Sequence, residues 1–161
     1  MRKANYDKFP STKLTGMLVQ GWDSIISMLK KKMDARKVLA VDLYTGVYEE
    51  EVLDAFSKEF SGRVMNVRDL MKPEKEIQTL TERFMTEDVL FGYVTNLKLE
   101  DYLDVDKVAA ARKQISEAKE TIVIIGTGAA VVAPQDAMVV YADMARWEIQ
   151  QRFRRHEVKA L

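Results

Sequence analysis

Val38-Leu39-Ala40-Val41-Asp42-Leu43, then Tyr44-Thr45-Gly46-Val47-Tyr48, then Glu49-Glu50-Glu51: these fourteen residues decide how the chain is read. The first six are a short, nearly continuous apolar run, the pattern of a strand covered on both faces. From Glu49 to Phe60, Val52, Leu53, Ala55, Phe56 and Phe60 keep helical spacing, and Ser61-Gly62 stops the run. Strand, turn and helix make the first half of a βαβ unit. A helix N-terminus in this position attracts anions through its free N–H groups and dipole, and a phosphate-binding version adds glycines, a Lys and a Ser or Thr. This turn has one glycine, no lysine and three carboxylates that repel a triphosphate. The layout of a nucleotide-binding unit is present without its chemistry.

Outward from that unit the alternation continues. Trp22-Asp23-Ser24 opens a helix with Trp22, Ile25, Ile26, Met28 and Leu29 on one side, closing in Lys30-Lys31-Lys32, where lysines suit the dipole. Val64-Met65-Asn66-Val67 is a second, shorter strand. Pro73 and Glu74 begin a helix running to about Met85, with Ile77, Leu80 and Phe84 on one face. Val89 to Val94 reads equally as strand or helix. Asp104 or Asp106 caps a helix running to Lys119, with Val105, Val108, Ala109 and Ile115 inward. Thr121 to Ile125 is the clearest strand, broken by Gly126-Thr127-Gly128. Ala137 to Tyr141 is another, and Asp143 leads into a helix from Met144 to at least Val158, with Trp147 and Phe153 as core anchors. The pattern predicts an α/β fold, a parallel sheet with helices on both faces. Met1 to Gly21, polar and broken by Pro10 and two glycines, reads as an extended arm laid over a domain formed by residues 22–161.

Composition narrows the function. With 161 residues, 47% hydrophobic and 31% charged, the chain builds one core of ordinary size. Lys+Arg and Asp+Glu stand at 25 each, so no whole-chain field points to nucleic acid or to an anionic membrane as partner. The absence of cysteine excludes disulfides, thiolate metal sites and a cysteine nucleophile, and the lone His156 cannot form a histidine cluster. Neither a signal peptide nor a membrane span is readable, which leaves the cytoplasm as the default location.

Three groups of residues are site candidates, each with a plainer reading beside it. Gly126, Thr127 and Gly128 after a strand can cradle an anion, or form an ordinary turn, since a third glycine and a directly following helix are not apparent. Asp42, Asp69, Asp101, Asp104 and Asp143 near strand ends can hold Mg²⁺ or serve as caps. Arg146, Gln150 and Arg154 fall at i, i+4 and i+8 on one helix face, joined by Arg152 and Arg155, and form a phosphate clamp or a solvated face. His156 reads as exposed.

Two resemblances give these patterns a family context. Thr121 to Gly126, Gly128 to Ala133, Met138 to Tyr141 and the helix Ala145 to Arg155 resemble the second half of uridine-kinase-type P-loop kinases. That implies a P-loop-kinase-like three-layer sandwich, here without a working phosphate loop: Val38 to Phe56 stands where that loop belongs but has Gly46 alone of its glycines and lacks the Lys with its following Ser or Thr, and the acidic residue expected near Ile125 and Gly126 is absent too. Only Arg146, Arg152, Arg154 and Arg155 can inherit a role. Asn5-Tyr6-Asp7-Lys8-Phe9-Pro10, Gly21-Trp22-Asp23 and Tyr141 to Arg154 are also similar to the N-terminal region of longer bacterial class I mannose-6-phosphate isomerase-like proteins. In those, a degenerate kinase-like domain precedes a cupin domain that holds zinc and isomerises the sugar phosphate.

The resemblance implies a noncatalytic kinase-like accessory or regulatory module in sugar-phosphate metabolism. It is expected to be truncated at its C-terminus, where Arg152 to Leu161 still reads as helical, with the catalytic cupin domain of the parent as its partner. No catalytic residue and no metal or cofactor is expected in this chain, zinc belonging to the cupin. A phosphorylated small molecule is the candidate ligand of Gly126, Thr127, Gly128, Arg146 and Arg154. The alternatives are a nucleoside or sugar kinase with an unorthodox phosphate site, and a sensor of a phosphorylated ligand.

Overall fold

The computed structural model describes residues 10–13, 15–33, 36–88 and 92–158. Four strands, β1 (Val38–Leu43), β2 (Arg63–Asn66), β3 (Ile122–Gly126) and β4 (Met138–Ala142), form one all-parallel sheet in the order β2-β3-β1-β4. Around it lie α1 (Trp22–Met33), α2 (Glu49–Glu59), α3 (Glu74–Glu82), α4 (Val105–Glu117), the single turn α5 (Ala129–Val132) and α6 (Arg146–Arg154).

Side chains alternate across a strand, so β1 feeds two cores. Leu39, Val41 and Leu43 pack with Ile26, Leu29 and Met33 of α1 and with Val52 and Phe56 of α2. Val38 and Ala40 pack with Ala111 and Ile115 of α4 and with Ala129 and Val132 of α5. β3 divides in the same way, Val123 and Ile125 to the first core and Ile122 and Ile124 to the second. Two faces covered by helices explain why both central strands are nearly continuous apolar runs, broken only by Asp42, and the result is the α/β, helices-on-both-faces architecture the pattern predicts. Trp22 ties α1 to α2: its ring meets Phe56 edge-on at 6.2 Å and its Nε1 donates to Glu51 at 2.9 Å.

Several local expectations are corrected. α2 stops at Glu59, before Ser61-Gly62, with Phe60 as an extended cap residue, and a Cβ at Gly62 would lie 1.9 Å from the Thr121 carbonyl oxygen. Glycine is there for the close approach of β2's start to β3's. α3 ends at Glu82 rather than Met85 and buries no residue fully, with Ile77, Leu80 and Phe84 half-buried. Of the segment between strand and helix, Val89 to Phe91 lie outside the described residues, and Gly92 to Val94 form neither element. Asp104 is the cap of α4, accepting from the N–H groups of Asp106 and Lys107 at 3.0 Å each, and the helix ends at Glu117. Its inward face is Ala111 and Ile115; Val105 and Ala109 face solvent.

The C-terminal helix is shorter than its composition suggests. α6 ends at Arg154, and His156 takes a left-handed φ of 55° just beyond it. Trp147 is 68% exposed, so it is no core anchor, while Phe153 is half-buried. In the N-terminal segment, residues 10–13 and 15–21 form neither helix nor strand and are almost wholly exposed; the remainder of the expected arm lies outside the described residues.

The topology leaves one crevice. β1 leads into α2 on one face of the sheet and its neighbour β3 leads into α5 on the other, so their loops part at the carboxyl ends of the strands. Open α/β sheets bind ligands at such a switch point.

Candidate functional site

Asp42 is the single charged residue of β1, and alternation sends its side chain to the α5 face, near the end of β3. There Oδ1 accepts the Gly128 N–H at 3.2 Å and Oδ2 accepts the Ala130 N–H at 2.9 Å. Thr127 Oγ1 closes the same gap by donating to the Leu43 carbonyl at 3.0 Å. The backbone N–H groups that an oxyanion would need at the switch point therefore already hold a carboxylate of the chain itself.

The glycines of this turn have steric reasons to be there. Gly126, at φ 133°, has no room for a side chain, because a Cβ would lie 2.9 Å from the Cβ of Val67. Gly128, at φ 89°, turns the chain into α5 in the left-handed region, and a Cβ there would lie 2.9 Å from Leu99. α5 also follows the turn directly, although the sequence alone gave no sign of a helix there.

The acidic start of α2 is tied down in a similar way. Glu49, whose side chain is 18% exposed, accepts from Asn66 Nδ2 at 2.8 Å and from Arg68 Nη2 at 3.3 Å. A carboxylate at the first turn of a helix satisfies its dipole from within. Glu51 holds Trp22, and Glu50 is exposed.

α6 covers the β1–α2 turn. Gly46 is buried, with φ 93°, and a Cβ there would lie 3.2 Å from Cγ1 of Ile149. Arg152 Nη1 donates to the Gly46 carbonyl at 2.8 Å, and its guanidinium carbon lies 3.6 Å from the centroid of the Tyr48 ring. Arg152 Nε donates to Glu148 at 3.1 Å, Arg155 Nη2 donates to the same carboxylate at 3.2 Å, and Arg155 Nε donates to Glu157 at 2.6 Å. The Tyr48 hydroxyl completes the ring by donating to Glu157 at 2.7 Å. Hydrogen bonds from Arg155 first and Tyr48 second hold the Glu157 carboxyl at about 2, well below its ordinary value. The bond to Glu157 likewise raises the Tyr48 phenol above its usual range.

Of the expected site residues, Gly126, Thr127 and Gly128 lie in the crevice, bonded as described. Arg146 and Arg154 are exposed on α6 and their side chains make no hydrogen bond or ion pair among the described residues, whereas Arg152 and Arg155 are engaged in the ring. Asp101 accepts the Lys98 N–H and Asp143 the Met144 N–H, as turn residues do. Among the described residues no group of three or more His, Asp or Glu is arranged to hold a metal ion, and no helix is long and apolar enough to cross a membrane. Glu148 and Glu157 are the acids that sequence reasoning offers to the α6 arginines, and Asp42 reads from sequence only as a Mg²⁺ ligand or cap; Tyr48 as a partner of Arg152 and Glu157 has no signal in the sequence. The signal for Asp42 was its place as a lone charge in an otherwise apolar run.

No curated protein and no solved structure matches the chain. A family model described as a domain of unknown function matches residues 21–161, a span that runs from the start of α1 past the end of α6. The chain belongs to that family, DUF8485.

Proposed function

We propose that this chain is a noncatalytic kinase-like module that serves another domain, as its resemblance to the N-terminal region of class I mannose-6-phosphate isomerase-like proteins implies. The observation that carries the reading is the Asp42 carboxylate on the Gly128 and Ala130 amides. A phosphate seated there would first displace two charge-assisted hydrogen bonds, at roughly 1.5–3 kcal/mol each. It would also meet the displaced carboxylate at close range, where two like charges 4 Å apart repel by about 4 kcal/mol near a protein surface. A micromolar ligand has roughly 8 kcal/mol to spend, so these terms reduce it to millimolar or weaker. The cover of α6 over Gly46 supports the same conclusion for the β1–α2 turn. The strand order, with β1 flanked by β3 and β4, supports the kinase-like layout.

The module's role is then to pack against, regulate or assemble a cupin isomerase domain, with sugar-phosphate chemistry and zinc residing in that domain. Calorimetry with ATP and Mg²⁺ tests the noncatalytic part, and no binding tighter than millimolar is expected. A micromolar dissociation constant would revive the reading as a nucleoside or sugar kinase. Interconversion of mannose 6-phosphate and fructose 6-phosphate by the purified chain, above a mock preparation, would overturn the assignment of catalysis to the partner.

One observation favours a second reading, a sensor of a phosphorylated small molecule: Arg146 and Arg154 are exposed and unpaired among the described residues. In that case a sugar phosphate raises the melting temperature of the wild type but not of the Arg146→Ala, Arg154→Ala double variant. Absence of any shift at millimolar concentration removes this reading.

A further inference from the structure

The opposite end of the sheet, where β1 and β3 begin and α4 and α5 end, contains a cavity of about 590 Å³. Its floor is Val38, Ile115, Ile122 and Val132, all buried and all part of the α4–α5 core. Its rim carries Lys37, Arg112, Glu120 and Asp136. An apolar floor with a few polar groups, at about 300–1,000 Å³, is the usual form of a small-molecule site.

The rim is built rather than merely charged. Arg112 Nη2 donates to the Val131 carbonyl at 2.8 Å and Nε to the Val132 carbonyl at 3.4 Å, which holds the guanidinium against the C-terminal end of α5. Two of its five N–H donors are thereby used, and three remain. The side chains of Lys37, Glu120 and Asp136 make no hydrogen bond or ion pair among the described residues. The register sets them apart: Val38 pairs with Ile122 and Leu39 with Met138, so Glu120 stands on the β3 side of Lys37 and Asp136 on its β4 side. α4 also ends at the cavity, and the free carbonyls of a helix C-terminus favour a cation.

We propose that this cavity binds a small zwitterion with a large apolar side chain, a molecule of the apolar α-amino-acid class. The apolar group lies on the Val38, Ile115, Ile122 and Val132 floor, the carboxylate faces Arg112 and Lys37, and the ammonium group faces Asp136, with Glu120 on the far side of Lys37. Two cations and two anions around one mouth match a carboxylate and an ammonium together. An uncharged occupant would cover charged groups without pairing them, and a simple anion would face Glu120 and Asp136. This site is independent of the crevice at the carboxyl ends of the strands and does not rest on the reading of that crevice.

Thermal unfolding of the full chain with L-leucine, glycine, 4-methylpentanoate and 3-methylbutylamine tests it. The last two are leucine without its ammonium and without its carboxylate. Leucine is expected to raise the melting temperature by about 3–6 °C at ten times its dissociation constant, and the other three to leave it unchanged. Lys37→Ala and Asp136→Ala alter exposed side chains, so each should melt like the unliganded wild type and show no leucine shift. Methyl NMR of the wild type should place the leucine-induced changes on Val38, Ile115, Ile122 and Val132. No shift with leucine at ~50 mM, well above the millimolar range of weak ligands, overturns the site. So do methyl changes elsewhere, or a leucine shift that persists in both variants. An equal effect of 4-methylpentanoate or 3-methylbutylamine overturns the zwitterion assignment.

Discussion

Arg152 lies flat against Tyr48, its guanidinium carbon 3.6 Å from the ring centroid, while its Nη1 donates to the carbonyl of Gly46 two residues before that tyrosine. One side chain of α6 thus clamps both ends of the short Gly46-Val47-Tyr48 link between β1 and α2. Its side chain is only 15% exposed, so these contacts are partly shielded from solvent. Arg152→Ala should lower stability by about 2–3 kcal/mol, combining a charged hydrogen bond with a cation–π contact. Amide exchange across residues 146–154 should rise while β1 and β3 stay protected. Arg152→Lys should recover less than half of the loss, because an ammonium cannot stack and fork together.

Asp42→Ala should destabilise more than its modest burial suggests. It leaves the part-buried Gly128 N–H without an acceptor, at about 1–3 kcal/mol, and exchanges the carboxylate at the exposed Ala130 N–H for water. Asp42→Asn keeps one acceptor oxygen and should cost about half as much. Urea unfolding of the two variants measures the ratio, and equal losses would mean that the paired acceptance is not the source of the effect.

The pH dependence of α6 docking follows from Glu157. Its folded-state value of about 2 lies below the ordinary 4.5, so the carboxylate form is favoured by folding. The resulting stability is fully present above about pH 4.5 and is lost as pH falls towards 2. Wild type and Glu157→Gln should therefore differ in stability at pH 6 and converge between pH 4 and 2. Unfolding followed by tryptophan fluorescence across that range reads the convergence.

Gly62→Ala should be among the most damaging single-methyl changes in the chain. The new Cβ would meet the Thr121 carbonyl oxygen at 1.9 Å, and that oxygen also accepts the Arg63 N–H at 3.0 Å where β2 joins β3. Backbone must shift on both sides, at about 3 kcal/mol or more, which corresponds to a fall in melting temperature of roughly 6–12 °C. Differential scanning calorimetry gives the value, and a fall under 2 °C would contradict the close approach.

What the sequence determined by itself is what depends on near neighbours along the chain. The apolar runs of Val38 to Leu43, interrupted by Asp42 alone, and of Thr121 to Ile125 read as strands covered on both faces, and the spacing of Val52 and Phe56 reads as a helix face against a sheet, whereas α4 buries Ala111 and turns Val105 and Ala109, expected inward, to solvent. The lack of a cationic phosphate grip at Glu49-Glu50-Glu51 was equally readable, since a grip consists of particular side chains at fixed offsets. Tertiary structure decided where charges and loops meet. Asp42 finds its partners 86 and 88 residues away, because strand order sets β3 beside β1 and alternation turns that carboxylate towards α5. Trp147 is exposed although its residue type suggests a core, because α6 turns Ile149 and Arg152 towards the Gly46 turn instead. Periodicity records how much of an element is buried; only the long-range pairing of strands determines which surface does the burying.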